Sequence, residues 1–118
     1  MLFRSVAGGG ATVNYLGKVL VAKGADGTDG SQSVRAMLLD RQSAANAKPE
    51  LQIHADDVKC AHGATVGELD KTALFYLAAR GILPMEAQTL LLQAFVSEVF
   101  AGAPELEAQA VAALERLS

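Results

Sequence analysis

Cys60 and His62 are the residues of this chain best suited to soft-ligand or proton-transfer chemistry. Cys60 is the only cysteine among 118 residues, and His62 is one of only two histidines. They stand two positions apart, so on an extended backbone both side chains leave the same face. A thiolate beside an imidazole can hold a soft metal, accept sulfur, or act as nucleophile and base. Two ligands fall short of the roughly four that zinc or a cluster takes, and a free cysteine is more often a packing residue than a reactive one. The residues therefore leave three readings open: a site completed by another chain, a cysteine nucleophile, or a packed pair with no chemistry. The nucleophile reading lacks a third, orienting residue.

Other polar groups read as structural. His54 lies among outward positions of an alternating stretch and reads as a surface histidine. Asp56-Asp57 reads as a turn, since Asp tolerates positive φ and bonds its own backbone. Gly8-Gly9-Gly10 lacks the Lys-Ser/Thr and following helix of a phosphate loop, so it too reads as a turn.

The chain that must position Cys60 and His62 is 51% apolar but only 5% aromatic, so its core is built from small aliphatics. A single cysteine excludes an internal disulfide and suits a reducing, cytoplasmic compartment. The net charge of −3, with its basic residues scattered singly, argues against nucleic-acid binding. The apolar runs are too short to span a bilayer.

Residues 1–67 read as short strands and 68–118 as helices. Ala11 to Leu16 and Lys18 to Ala22 alternate around a punctuating Gly17. Gly24 to Gly30 is a turn and Ser33 to Leu39 a strand. Gln42 to Lys48 is a loop or a lateral turn, Pro49 opens a strand through Ala55, and Val58 to His62 is another. No strict internal repeat is visible, and short strands of this kind fit a sandwich or the coils of a β-helix. Glu68 to Arg80 is a helix stopped by Gly81. Pro84 opens a second helix with a stripe at Ala87, Leu90, Leu91, Ala94, Phe95 and Val99, ended by Gly102. Pro104 opens a third, with Leu106, Ala110, Ala113, Leu114 and Leu117 on one side.

The run from Lys48 to Asp70, Lys-Pro-Glu-Leu-Gln-Ile-His-Ala-Asp-Asp-Val-Lys-Cys-Ala-His-Gly-Ala-Thr-Val-Gly-Glu-Leu-Asp, closely resembles the C-terminal part of the SufB/SufD family, on its SufD side. These are scaffold proteins of SUF iron–sulfur cluster assembly. Leu74-Phe75-Tyr76-Leu77-Ala78-Ala79-Arg80-Gly81-Ile82 continues the match, and Phe3 to Val6, Gly17 to Val19 and Thr28-Asp29 fit upstream. The SufB side would carry a His-Glu-containing run here and a cysteine in the preceding strand region.

The resemblance implies a mixed β and α fold: the last coils of a right-handed parallel β-helix over 1–67, then a small C-terminal helical domain over 68–118. It implies a non-enzymatic scaffold subunit that meets a SufB-like paralogue through the β-helix end. It further implies a SufC-like ATPase docked through Leu74, Phe75, Tyr76, Leu77, Arg80, Gly81 and Ile82. His62 matches the family's interface histidine, an iron ligand or cluster-assembly residue, and Cys60 a nearby cysteine. No cofactor is expected to stay on this chain alone; iron or a cluster would pass through the full complex. Family members are much longer, so the chain reads as a C-terminal fragment, expected to form a homodimer through its open β-helix end. The rival expectation is a structural interaction module without metal chemistry.

Overall fold

The computed structural model describes residues 1–117, and side chains through residue 116. Five strands precede three helices: β1 (Leu2–Ala7), β2 (Thr12–Val21), β3 (Asp29–Leu38), β4 (Ala44–Ile53), β5 (Lys59–Glu68), α1 (Lys71–Ala79), α2 (Pro84–Ser97) and α3 (Pro104–Leu114). They fall into two compact units, Met1–Gly67 and Glu68–Ser118.

In the first unit successive strands alternate between two sheets. One has the order β1-β3-β5 and the other pairs β2 with β4. β1 runs parallel to β3 with Leu2 opposite Ser33, and β2 parallel to β4 with Thr12 opposite Ala44. Each pairing holds one register throughout, so the chain returns to the same level after 31 and 32 residues. The repeat escapes a sequence reading because unlike residues fill equivalent levels: Phe3 stands beside Val34, Tyr15 beside Ala47 and Gly17 beside Pro49.

The inward positions of this unit carry Ala7, Val21, Val34 and Ala36, all buried, with Gln32 and Ser43 as buried polar residues. The Phe3 and Tyr15 rings meet at 4.5 Å between centroids, tilted by 43°, joining β1 to β2. Corners are held by carboxylates. Asp40 Oδ2 accepts from Gly9 N–H at 2.7 Å, and Oδ1 accepts from the Gln42 and Ser43 N–H groups at 2.9 and 2.7 Å. Asp26 Oδ1 likewise accepts from Asp56 N–H at 2.9 Å. The glycine run is thus a turn whose amide is taken by Asp40, and Asp57, at φ +50°, turns the chain as its residue type suggests.

Several strand boundaries differ from the sequence reading. β3 begins at Asp29, inside the expected turn, because its first residues pair in the ladder with β5. Gly17 does not break a strand; β2 runs through it because its ladder with β4 is continuous there, and the space a side chain would need is taken by Gln32 and Tyr15. The expected loop at Gln42 to Lys48 is mostly β4, and Pro49 lies inside that strand. Ala and Asn favour strands weakly, but the ladder with β2 overrides that preference. β5 extends to Glu68, so the first helix begins three residues later than expected.

In the second unit Asp70 caps α1, its Oδ1 accepting from the Thr72 and Ala73 N–H groups at 2.9 and 3.2 Å. Gly81, at φ +85°, ends it. Gly81 N–H bonds Ala78 O and Ile82 N–H bonds Leu77 O, closing the last turn in a Schellman arrangement. Prolines at their first positions open α2 and α3, and a single 3-10 turn, Glu98–Phe100, follows α2.

The buried side of α2 is rotated from the expected stripe. Ala87 and Leu92 are buried, while Leu90 is 45% exposed and Ala94 is exposed. Three leucines in a row do not fix a helical phase by themselves; packing chose Leu92. In α3, Leu114 is buried but Leu106 and Ala113 are exposed, and the side chain of Leu117 lies outside the described residues.

Candidate functional site

β5 is an outer strand of its sheet, beside β3. Lys59 N–H donates to Thr28 O at 2.8 Å where the two strands begin. Cys60 and His62 sit on this strand with the same parity, so they share a face. Cys60 is half-buried; its Sγ lies 4.0 Å from where a Cβ on Gly30 would stand, so the glycine leaves room for the sulfur. His62 is exposed. The pair therefore offers one shielded soft donor and one accessible imidazole.

That pair stands short of a complete site. No group of three or more His, Cys, Asp or Glu side chains is placed to hold a metal ion among the described residues. His54 follows β4, is exposed, and places Nε2 2.8 Å from Gln52 Nε2. Asp56 and Asp57 turn the corner through their backbone, Asp56 N–H donating to Asp26 Oδ1 and Asp57 O accepting from Gly27 N–H. The structure brings Cys60 and His62 together and leaves the other candidates apart.

On the neighbouring strand lies a polar group that the sequence reading passed over. Gln32 on β3 is 1% exposed and donates through Nε2 to Tyr15 Oη on β2 at 2.5 Å. Its Oε1 is buried without a hydrogen-bond partner, an arrangement that costs roughly 1–3 kcal/mol. A signal was present: Gln32, Val34 and Ala36 share the inward parity of β3, and an amide there departs from the apolar pattern.

The residues expected to dock an ATPase lie on α1 and just after it. Phe75 and Tyr76 are 75% and 56% exposed, large values for aromatic side chains, whereas Leu74, Leu77 and Ile82 are half-buried. The Arg80 guanidinium carbon lies 5.1 Å from the Tyr76 ring centroid, over its face. On α2 a shallow groove of about 470 Å³ is lined by Leu83, Met85, Glu86, Thr89, Leu90 and Gln93. The second unit thus presents aromatic and aliphatic surface to solvent.

Residues 1–95 match the family described as "SUF system FeS cluster assembly, SufBD core domain". This chain belongs to the SufBD family. An iron–sulfur cluster assembly SufBD family protein of Synechocystis is 43% identical over 90 residues, 76% of this chain and 20% of the relative. The iron–sulfur cluster assembly protein SufD of Escherichia coli is 42% identical over 85 residues, covering 72% of this chain and 20% of that protein. SufD of Bacillus subtilis is 34% identical over 105 residues, covering 87% and 24%. The chain thus spans about a fifth to a quarter of the length of these relatives. No helix among the described residues is long and apolar enough to cross a membrane.

Proposed function

We propose that this SufBD chain is a non-catalytic scaffold segment contributing His62, with Cys60 beside it, to a cluster-assembly site that a SufB-like paralogue completes. The observation that carries this reading is the incompleteness of the pair: two suitable donors share one face of an outer strand, and among the described residues no third His, Cys, Asp or Glu is placed to bind metal with them. Imidazole and thiolate suit iron and sulfide as cargo, and ligands held on two chains let a change at their interface expose the site. Iron or a nascent cluster is the substrate here, not a resident cofactor.

The alternation of β1, β3 and β5 with β2 and β4, at a return of 31 and 32 residues, supports the reading as coils of a parallel β-helix, right-handed as in the family it resembles. Its terminal strand edges are the surfaces through which a paralogue, or a second copy of this chain, would add. The exposed Phe75 and Tyr76, with Arg80 and the turn at Gly81 and Ile82, support docking of a SufC-type ATPase.

Reconstitution with iron, sulfide and the paralogous subunit tests the reading, comparing wild type with His62→Ala. Loss of cluster formation is the expected result; unchanged formation would overturn it. Sedimentation of the isolated chain at micromolar concentration should show a dimer, and monomer alone would remove that part of the proposal. A second reading, a structural module without metal chemistry, draws on the seating of Cys60 against Gly30; it is favoured if His62→Ala is silent.

A further inference from the structure

The unpaired oxygen of Gln32 sits in a definite relation to β5. In a parallel pair an N–H donates to the residue preceding its partner, so the bond from Lys59 to Thr28 O places Lys59 level with Asp29. The approach of Cys60 Sγ to Gly30 continues the same register. Two residues further along, His62 stands level with Gln32, on the same face and about 4.8 Å away across the sheet.

Gln32 is held for a purpose other than filling space. Its Nε2 is fixed on Tyr15 Oη, and Gly17 lacks the side chain that would displace that amide. An apolar residue would fill this position with no orphaned oxygen, as Val34 does one layer on.

We propose that Gln32 is the positioning residue of His62: Gln32 Oε1 accepts the N–H of one imidazole nitrogen, which fixes the tautomer and leaves the other nitrogen's lone pair to face incoming metal. Ligating histidines commonly donate their second N–H to an oxygen in this way, and that partner sets ring orientation and basicity. The inference rests on the assembly reading for its consequence, and on the ladder geometry for its existence.

Nitrogen-15 spectroscopy of the intact 118-residue chain at neutral pH tests it. Wild-type His62 should show a single dominant tautomer. Gln32→Met should abolish that preference, and Gln32→Glu, which retains an acceptor, should keep the same ring nitrogen protonated. His62→Phe, at an exposed position, should shift the Gln32 side-chain amide resonances; this readout decides the matter even if Gln32→Met does not fold. A Gln32 amide blind to His62→Phe, or a His62 tautomer unchanged in Gln32→Met, would overturn the inference and point to a buried water as the partner of Oε1. Failure of the assembly reading looks different: His62→Ala would then build clusters normally while the Gln32–His62 coupling persisted.

Discussion

Gly17 and Gln32 compete for one volume. A methyl group on Gly17 would fall onto the Gln32 amide nitrogen and the Tyr15 hydroxyl, which are bonded to each other there. Gly17→Ala should therefore destabilise the strand unit by about 1–3 kcal/mol through overpacking. Urea denaturation of the single variant gives the figure. Adding Gln32→Ala should recover part of the loss, because it removes one of the two groups struck.

Pro49 faces Gly17 across the β2–β4 ladder. Ala44 and His54 both donate N–H toward β2, to Ala11 O and Val21 O. Their shared parity, in an unbroken register, turns the Pro49 nitrogen to the side away from β2. Its missing N–H costs the ladder nothing and blunts an outer edge. Pro49→Thr should leave stability within about 1 kcal/mol of wild type, yet raise self-association, visible in sedimentation velocity against the wild-type chain.

Asp40 ties consecutive corners together. The Ser43 hydroxyl above all, helped by the N–H groups of Ser43, Gly9 and Gln42, holds its carboxyl below the ordinary value of 3.8, against an opposing effect of desolvation second in size only to that hydroxyl. A carboxyl lowered on folding adds stability that is full above its unfolded value and disappears as pH falls through the lower folded one. Asp40's share of the stability should therefore disappear as pH falls below 3.8, and Asp40→Asn should be less stable at neutral pH while losing this part of the acid dependence. Melting curves of both proteins across the acid range check the sign.

The ends of α1 are separately testable. Asp70→Ala removes the acceptor for two helix N–H groups and should cost about 1 kcal/mol. Gly81→Ala puts a side chain at φ +85° and should cost about 1–2 kcal/mol. Both appear as lowered melting temperatures in circular dichroism.

Phe75→Glu tests the proposed docking face without disturbing the core, since Phe75 is 75% exposed. Affinity for a SufC-type ATPase should fall by at least about tenfold, the loss typical of a central aromatic anchor, with the melting temperature unchanged. Unaltered affinity would move the docking surface elsewhere, and the groove by Leu83, Met85 and Leu90 would be the next place to probe.

The sequence by itself determined the change from strands to helices near residue 67, the glycine and aspartate turns, the proline starts of α2 and α3, and the shared face of Cys60 and His62. These follow from local backbone preference and strand parity, which neighbouring residues carry within themselves. Family membership was legible too, in the run from Lys48 to Ile82. Tertiary structure decided what depends on residues about thirty positions away. Whether Gly17 breaks a strand or clears space for Gln32, and whether Pro49 opens a strand or guards an edge, was settled by strands one turn of the chain removed. The phase of the three leucines in α2 was likewise set by packing. Gln32 stands level with His62 only because β3 and β5 lie side by side, and that adjacency is written in no local stretch of sequence.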